Sequence, residues 1–175
     1  MILDANAVLS SLQAITVTAV STGVYDTAGV GVGVPAPNFF GQQGGGATIF
    51  GEDLGGGGPS SASPPQLGVQ VSTAFTAGGS ATLKVQLQAA VDTGTNTGTP
   101  GTWQTIVETD TLAVALLTLG TWLARFVVPD RYPGQGYPRF YRLNYVVATG
   151  PMTAGAVNAF LATGIDSPQA YQANF

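Results

Sequence analysis

Neither histidine nor cysteine occurs in this chain of 175 residues, and Lys84 is its only lysine. Without cysteine there is no disulfide framework and no thiolate metal site, and the redox compartment stays open. Without histidine, the commonest general base at neutral pH and the commonest zinc ligand are both missing. Charge is scarce too. Asp, Glu, Lys and Arg make up 8% of the residues, against about 25% in typical soluble proteins. Five basic and nine acidic side chains leave a net charge of −4. Direct nucleic-acid binding is therefore not expected, because that affinity comes mainly from neutralised phosphates. The longest apolar run, Leu112 to Leu117, is far too short to cross a bilayer. Met1-Ile2-Leu3-Asp4 has neither the basic start nor the apolar stretch of a signal peptide. A soluble protein made inside the cell is the expectation, with no membrane contact.

What the chain does have is the material of a β-protein. Apolar residues make up 45% of it, which excludes wholesale disorder. The polar remainder is mostly Thr, Ser, Gln, Asn and Gly, a surface suited to packing against partners, since interface cores are depleted in charge. A secreted β-protein rich in Thr and Gly has a similar composition, and composition does not separate the two. Period-2 alternation is clearest in Ala81–Gln88, where Leu83, Val85 and Leu87 share one face and Thr82, Lys84, Gln86 and Gln88 the other. Slipping this strand by one residue would bury a lysine and two glutamines, so its register is well specified.

Further strands are expected over Ala14–Val20, Thr48–Phe50, Leu67–Phe75, Thr102–Glu108, Leu112–Leu116, Thr121–Val128, Phe140–Val147 and Ala156–Ala162. Both faces of Thr121–Val128 are largely apolar, which suggests cover on each side. In Asn6–Gln13, Val8, Leu9 and Leu12 fit a short helical stripe, with strand or irregular structure as equal alternatives. The connections are rich in Gly and Pro: Gly41–Pro65, Asp92–Gly101 and Pro129–Pro138. The expected architecture is a single all-β domain over 1–175, a sandwich of about eight or nine antiparallel strands. Phe75-Thr76-Ala77-Gly78 and Met152-Thr153-Ala154-Gly155 echo each other, as two similar turns leading into strands would.

Little of the chain offers chemistry. Lys84 stands on a polar strand face, where a solvated role is expected. Glu108 and Asp110 are spaced i, i+2 as a carboxylate pair on one strand face would be, but Asp110-Thr111 equally forms an ordinary turn. Glu52 and Asp53 lack the alternating acidic ligands of a calcium loop. Gly29-Val30-Gly31-Val32-Gly33 is followed by Val34-Pro35-Ala36-Pro37 instead of a helix, and no Gly-Lys-Ser/Thr occurs, so there is no phosphate loop. No enzyme activity, cofactor or metal is expected. Trp103, Trp122, Tyr132 and Tyr137 could instead be stacking platforms of a carbohydrate-binding adhesion module.

Three stretches carry a resemblance. These are Met1-Ile2-Leu3-Asp4 with Gln13-Ala14-Ile15-Thr16, then Phe75-Thr76-Ala77-Gly78-Gly79-Ser80-Ala81-Thr82-Leu83, and above all the segment from Arg139-Phe140-Tyr141-Arg142-Leu143-Asn144-Tyr145 to Thr153-Ala154-Gly155. They resemble the jelly-roll capsid cement, or decoration, proteins of tailed phages of Bordetella-phage type. The insertion Gly41–Pro65 and the extension Gly164–Phe175 depart from that pattern. The resemblance implies a jelly-roll subunit that forms a homodimer or homotrimer on the outer capsid surface of the virion, after assembly in the host cytoplasm. There it would clamp neighbouring subunits of the major capsid protein against the pressure of packaged DNA. The domain has an N-terminal arm 1–12, a Gly/Pro-rich loop 39–65 and a C-terminal tail 164–175, and contacts are expected in Met1–Leu12, Phe39–Leu54 and Asp166–Phe175, elements a minimal roll does not need. Ile2, Leu3, Phe39, Phe40, Tyr171 and Phe175 are the expected partner-binding anchors, since buried aromatics often dominate interface energy.

Overall fold

The alternation in the middle of the sequence forms the centre of a sheet. In the computed structural model, which describes residues 7–26, 65–93, 98–128 and 138–163, Leu83, Val85, Leu87 and Ala89 all point into the core. They lie on β5 (Thr82–Ala90). The other strands are β1 (Val8–Ala14), β2 (Ala19–Val20), β3 (Tyr25–Asp26), β4 (Pro65–Ala77), β6 (Gln104–Glu108), β7 (Leu112–Ala113), β8 (Trp122–Val127), β9 (Phe140–Ala148) and β10 (Met152–Thr163). Thr48–Phe50, expected as a strand, lies outside the described residues.

The strands form two antiparallel sheets, one in the order β1-β10-β4-β8 and one in the order β2-β9-β5-β6, with β3 added on β9 and β7 on β5. The pairs β1·β10, β2·β9, β4·β8 and β5·β6 are nested like one long hairpin whose innermost connection joins β5 to β6. Folded over itself, such a hairpin is a jelly roll. Between the sheets lie Leu67, Val69 and Val71 of β4, Val157, Ala159 and Leu161 of β10, and Tyr141, Leu143 and Tyr145 of β9, all buried. Each full-sized apolar side chain there contributes about 1.5–3 kcal/mol.

Because the hairpin is folded over, its connections fall at two ends. At one, the turn end, the β1–β2, β4–β5, β7–β8 and β9–β10 connections are short. The other, the loop end, carries the β3–β4, β5–β6 and β8–β9 connections, the start of β1 and the finish of β10.

Several expectations change here. Of the alternatives for Asn6–Gln13, the described part from Val8 takes the strand: β1 pairs with β10, with register shifts between Val8 and Ser10 and again between Ser10 and Gln13. Bulges break the period of two, which is why Val8, Leu9 and Leu12 mimic a helical stripe. Leu12 itself takes φ 46° and stands 66% exposed. Residues 8–12 thus belong to the roll and not to an arm outside it. Ala14–Val20 is not one strand, because Ile15–Thr18 carry the chain from one sheet to the other, with Ile15 buried and Val17 exposed. Leu112–Leu116 likewise gives way after Ala113 to a single 3-10 turn over Val114–Leu116. Strand β8 is not covered on both sides, since Arg125 and Val127 are exposed. A register shift opposite Val69/Gln70 turns both Leu123 and Ala124 inward and leaves Trp122 on the outer face, edge-on to Phe160 at 6.2 Å.

The two Thr-Ala-Gly echoes are more than similar turns. They are neighbours in the β4–β10 ladder, with Met152 opposite Ala77 and Ala154 opposite Thr76. The hydroxyls of Thr76 and Thr153 lie 2.8 Å apart, and the Phe75 ring occupies the space a side chain at Gly155 would need. A Cβ on Gly155 would fall 2.1 Å from Phe75 Cδ1, and its φ of +140° already disfavours an L-residue. Gly150, with φ +110°, has nothing within 4 Å of such a Cβ. Gly155→Ala is therefore expected to cost about 3 kcal/mol, overpacking added to backbone strain, and Gly150→Ala only about 1 kcal/mol. Urea unfolding of the two variants beside the parent checks the difference.

Candidate functional site

Polar side chains with functional potential are gathered on the outer face of the β2-β9-β5-β6 sheet and at the loop end. Lys84, Gln86 and Gln88 alternate with the core residues of β5, so they project outward between β9 and β6. Asn144 on β9 donates from Nδ2 to Gln86 Oε1 at 2.8 Å, and Gln86 Nε2 donates to Glu108 Oε2 at 3.0 Å. Lys84 Nζ reaches the other Glu108 oxygen at 3.1 Å. One row further along, Arg142 Nε donates to Gln88 Oε1 at 2.9 Å, and Gln88 Nε2 lies 3.5 Å from Thr105 Oγ1. The Arg142 guanidinium lies over the Trp103 ring, 4.2 Å from its centre. The face is a ladder of amides with few charges, each held by its neighbours. Lys84 is thus tied into a cross-strand pair.

At the loop end, Arg139 binds two carboxylates from distant parts of the chain. Its Nε and Nη2 donate to the two oxygens of Asp26 at 2.8 and 3.0 Å, a bidentate pair, while Nη1 donates to Asp92. Asp92 also accepts the backbone N–H of Gly98 at 3.0 Å, and the Arg139 N–H is bonded to Ala90 O at 3.0 Å. The guanidinium further lies 4.9 Å from the centre of the Phe140 ring. This clasp joins the end of β3, the β5–β6 connection and the start of β9. The Asp26 hydrogen bonds raise the Arg139 pKa further, so its charge is permanent.

A third polar contact joins the sheets inside the core. Tyr145 OH on β9 lies 2.8 Å from Ser10 Oγ on β1, and Ser10 Oγ in turn donates to Gln13 Oε1 at 2.7 Å. With the serine proton so used, the phenol is the donor. Burial raises the Tyr145 pKa, so this hydroxyl stays protonated.

Glu108 and Asp110 are not brought together as a carboxylate pair. Glu108 is held by Gln86 and then Lys84, and both lower its pKa, which suits a fixed anion and not a proton donor. Asp110 is exposed and does not form the expected turn: β6 and β7 run on along the same edge of β5, and Thr109–Thr111 is an irregular step between them. Among the described residues no group of three or more acidic side chains is placed to hold a metal ion. Of the aromatics proposed as saccharide platforms, Trp103 has one face taken by Arg142 and Trp122 packs on Phe160. Tyr132 and Tyr137 lie outside the described residues, as do Glu52, Asp53 and all six expected anchors, Ile2, Leu3, Phe39, Phe40, Tyr171 and Phe175.

Sequence reading missed the clasp, because Arg139 lies 113 residues from Asp26 and 47 from Asp92. No local spacing announces such a meeting. It also missed Arg142, although the β9 alternation put that residue on the same face as Asn144.

The model of one protein family, Bbp16, named after a Bordetella phage protein, matches residues 9–161. The chain belongs to the Bbp16 family. The Bbp16 match runs from β1 into β10 and so takes in every strand of the roll. No curated protein matches the sequence.

Two outcomes are expected. Replacing Arg139 by Gln leaves the half-buried Asp26 and Asp92 carboxylates without their cation, and should cost roughly 2–4 kcal/mol in urea unfolding. Glu108 has a folded pKa below its ordinary 4.5, so its stabilising effect is complete above that pH and fades as the pH falls through the folded value. Thermal melts across the acid range should show a shallower acid loss in Glu108→Gln than in the parent.

Proposed function

We propose that the protein is a structural, non-enzymatic subunit of a phage particle, a cement protein that self-associates on the outer capsid surface and clamps neighbouring major capsid protein subunits. The observation that carries this reading is the one-sidedness of the roll. Ala7, Asp26, Pro65, Val128, Pro138 and Thr163, at the bounds of the described residues, all lie at the loop end. The described residues that border the arm, the inserted loop and the tail, namely Ala7, Asp26, Pro65 and Thr163, therefore share one end of the roll. That is the arrangement a clamp needs. Several weak contacts offered from one place gain by effective concentration.

Membership of the Bbp16 family and the jelly roll support the phage assignment, and the low charge suits a surface that is largely interface. Nothing in the amide ladder favours the saccharide reading.

The test is capsid-based. Added to capsid shells lacking it, the purified protein should co-sediment with them and raise their rupture temperature. A chain cut after residue 168, losing Tyr171 and Phe175, should melt as the parent does but be retained less well on shells. Shells that neither bind the full chain nor gain heat resistance would remove the proposal.

A further inference from the structure

The described charged groups are almost all matched within the chain. Lys84 pairs with Glu108, and Arg139 with Asp26 and Asp92, while Arg125 has contacts of its own. Two groups stand apart. Arg142 uses only Nε, on Gln88, and its ring contact with Trp103, and among the described residues no carboxylate approaches its two terminal nitrogens. Its pKa is lowered by burial alone, with no acid near enough to offset that. The Asp110 carboxylate has no partner among the described residues either, since only its backbone oxygen is bonded, by Thr109.

These two orphans share the β2-β9-β5-β6 sheet but cannot meet within one chain. Arg142 is level with Gln88, whereas Thr109 is bonded to Val85 and Asp110 lies beyond it, level with Lys84. Four strand residues separate those levels by about 13 Å. A two-fold axis lying in the plane of contact, at right angles to the line from Arg142 to Asp110, would set each arginine against the other copy's aspartate. An isologous contact forms every such pair twice. The guanidinium is also prepared for a carboxylate: Gln88 fixes its azimuth, Trp103 its plane, and its free edge has the fork geometry that binds two oxygens.

We infer that this amide-ladder face is a homodimer contact in which Arg142 of each copy binds Asp110 of the other. The inference rests on the self-association proposed above and names the face that mediates it.

Charge reversal tests it on the full-length protein, with sedimentation equilibrium as the readout. Arg142→Glu and Asp110→Arg should each weaken self-association at least about tenfold, and the double reversal should bring it back to near the parent value. The parent should also dissociate as salt is raised. Single variants that associate like the parent, a double variant no better than the worse single one, or a monomeric parent would each overturn the contact. Asp110 is exposed in the irregular step between β6 and β7, so its reversal leaves the fold intact and decides the matter by itself if Arg142→Glu proves unstable. Binding of the parent to shells is measured separately. Failure there removes the cement reading whatever the dimer data show, and a parent that binds shells as a monomer removes the dimer contact alone.

Discussion

The pairing of the last strand with β4 is the constraint on which the roll depends. Strand β10 lies between β1 and β4, so the first sheet cannot close until nearly the whole chain is present. Its ladder with β4 runs from Met152 opposite Ala77 to Thr163 opposite Pro65, and in its bulged stretch the Phe75 ring sits against a residue with no side chain. Any other residue at Gly155 would push that ring out of the core. Contacts that join the start of a sequence to its end make for slow folding, because loop closure precedes most of the favourable burial. Stability here is thus a property of the completed roll and not of any hairpin within it.

The second sheet shows how a chain with so few charges stays specific. Its outer face fixes strand register through amides and hydroxyls, with Asn144, Gln86 and Glu108 forming one row and Arg142, Gln88 and Thr105 the next. Such rows add modestly to stability, but they make a slipped register costly. The Arg139 clasp acts in the same way at the loop end, where three connections would otherwise leave the strand ends free to fray. Nearly all the charge described belongs to this sheet or its end, and Arg125 alone stands on the other.

How much of this was legible in the sequence follows from which forces are local. Leu83, Val85 and Leu87 declare their strand because alternation is a local property, and the same is true of β4, β8 and β9. The jelly-roll order came from the resemblance of Arg139–Gly155, not from alternation, which says nothing about which strands pair. Bulges defeated the reading of β1, since a single extra residue changes the phase of every side chain beyond it. The crossings at Ile15–Thr18 and Val114–Leu116 read as strand because Ile15 and Val17, and Val114 and Leu116, keep the spacing of a strand face, although only Ile15 of the four is buried. The clasp and the Arg142–Trp103 stack stayed hidden because their members meet only after the roll has closed.

The turn end has a consequence of another kind. At Gly78, Gly79, Gly120 and Gly150 there is open space where a side chain would go. The strands on either side are already anchored by Phe75, Met152 and Leu117, all buried. Lengthening a surface connection costs only about 0.6 kcal/mol for each doubling. Extra chain spliced into these turns would emerge away from the clasp, so this end of the fold is the natural place for grafted peptides.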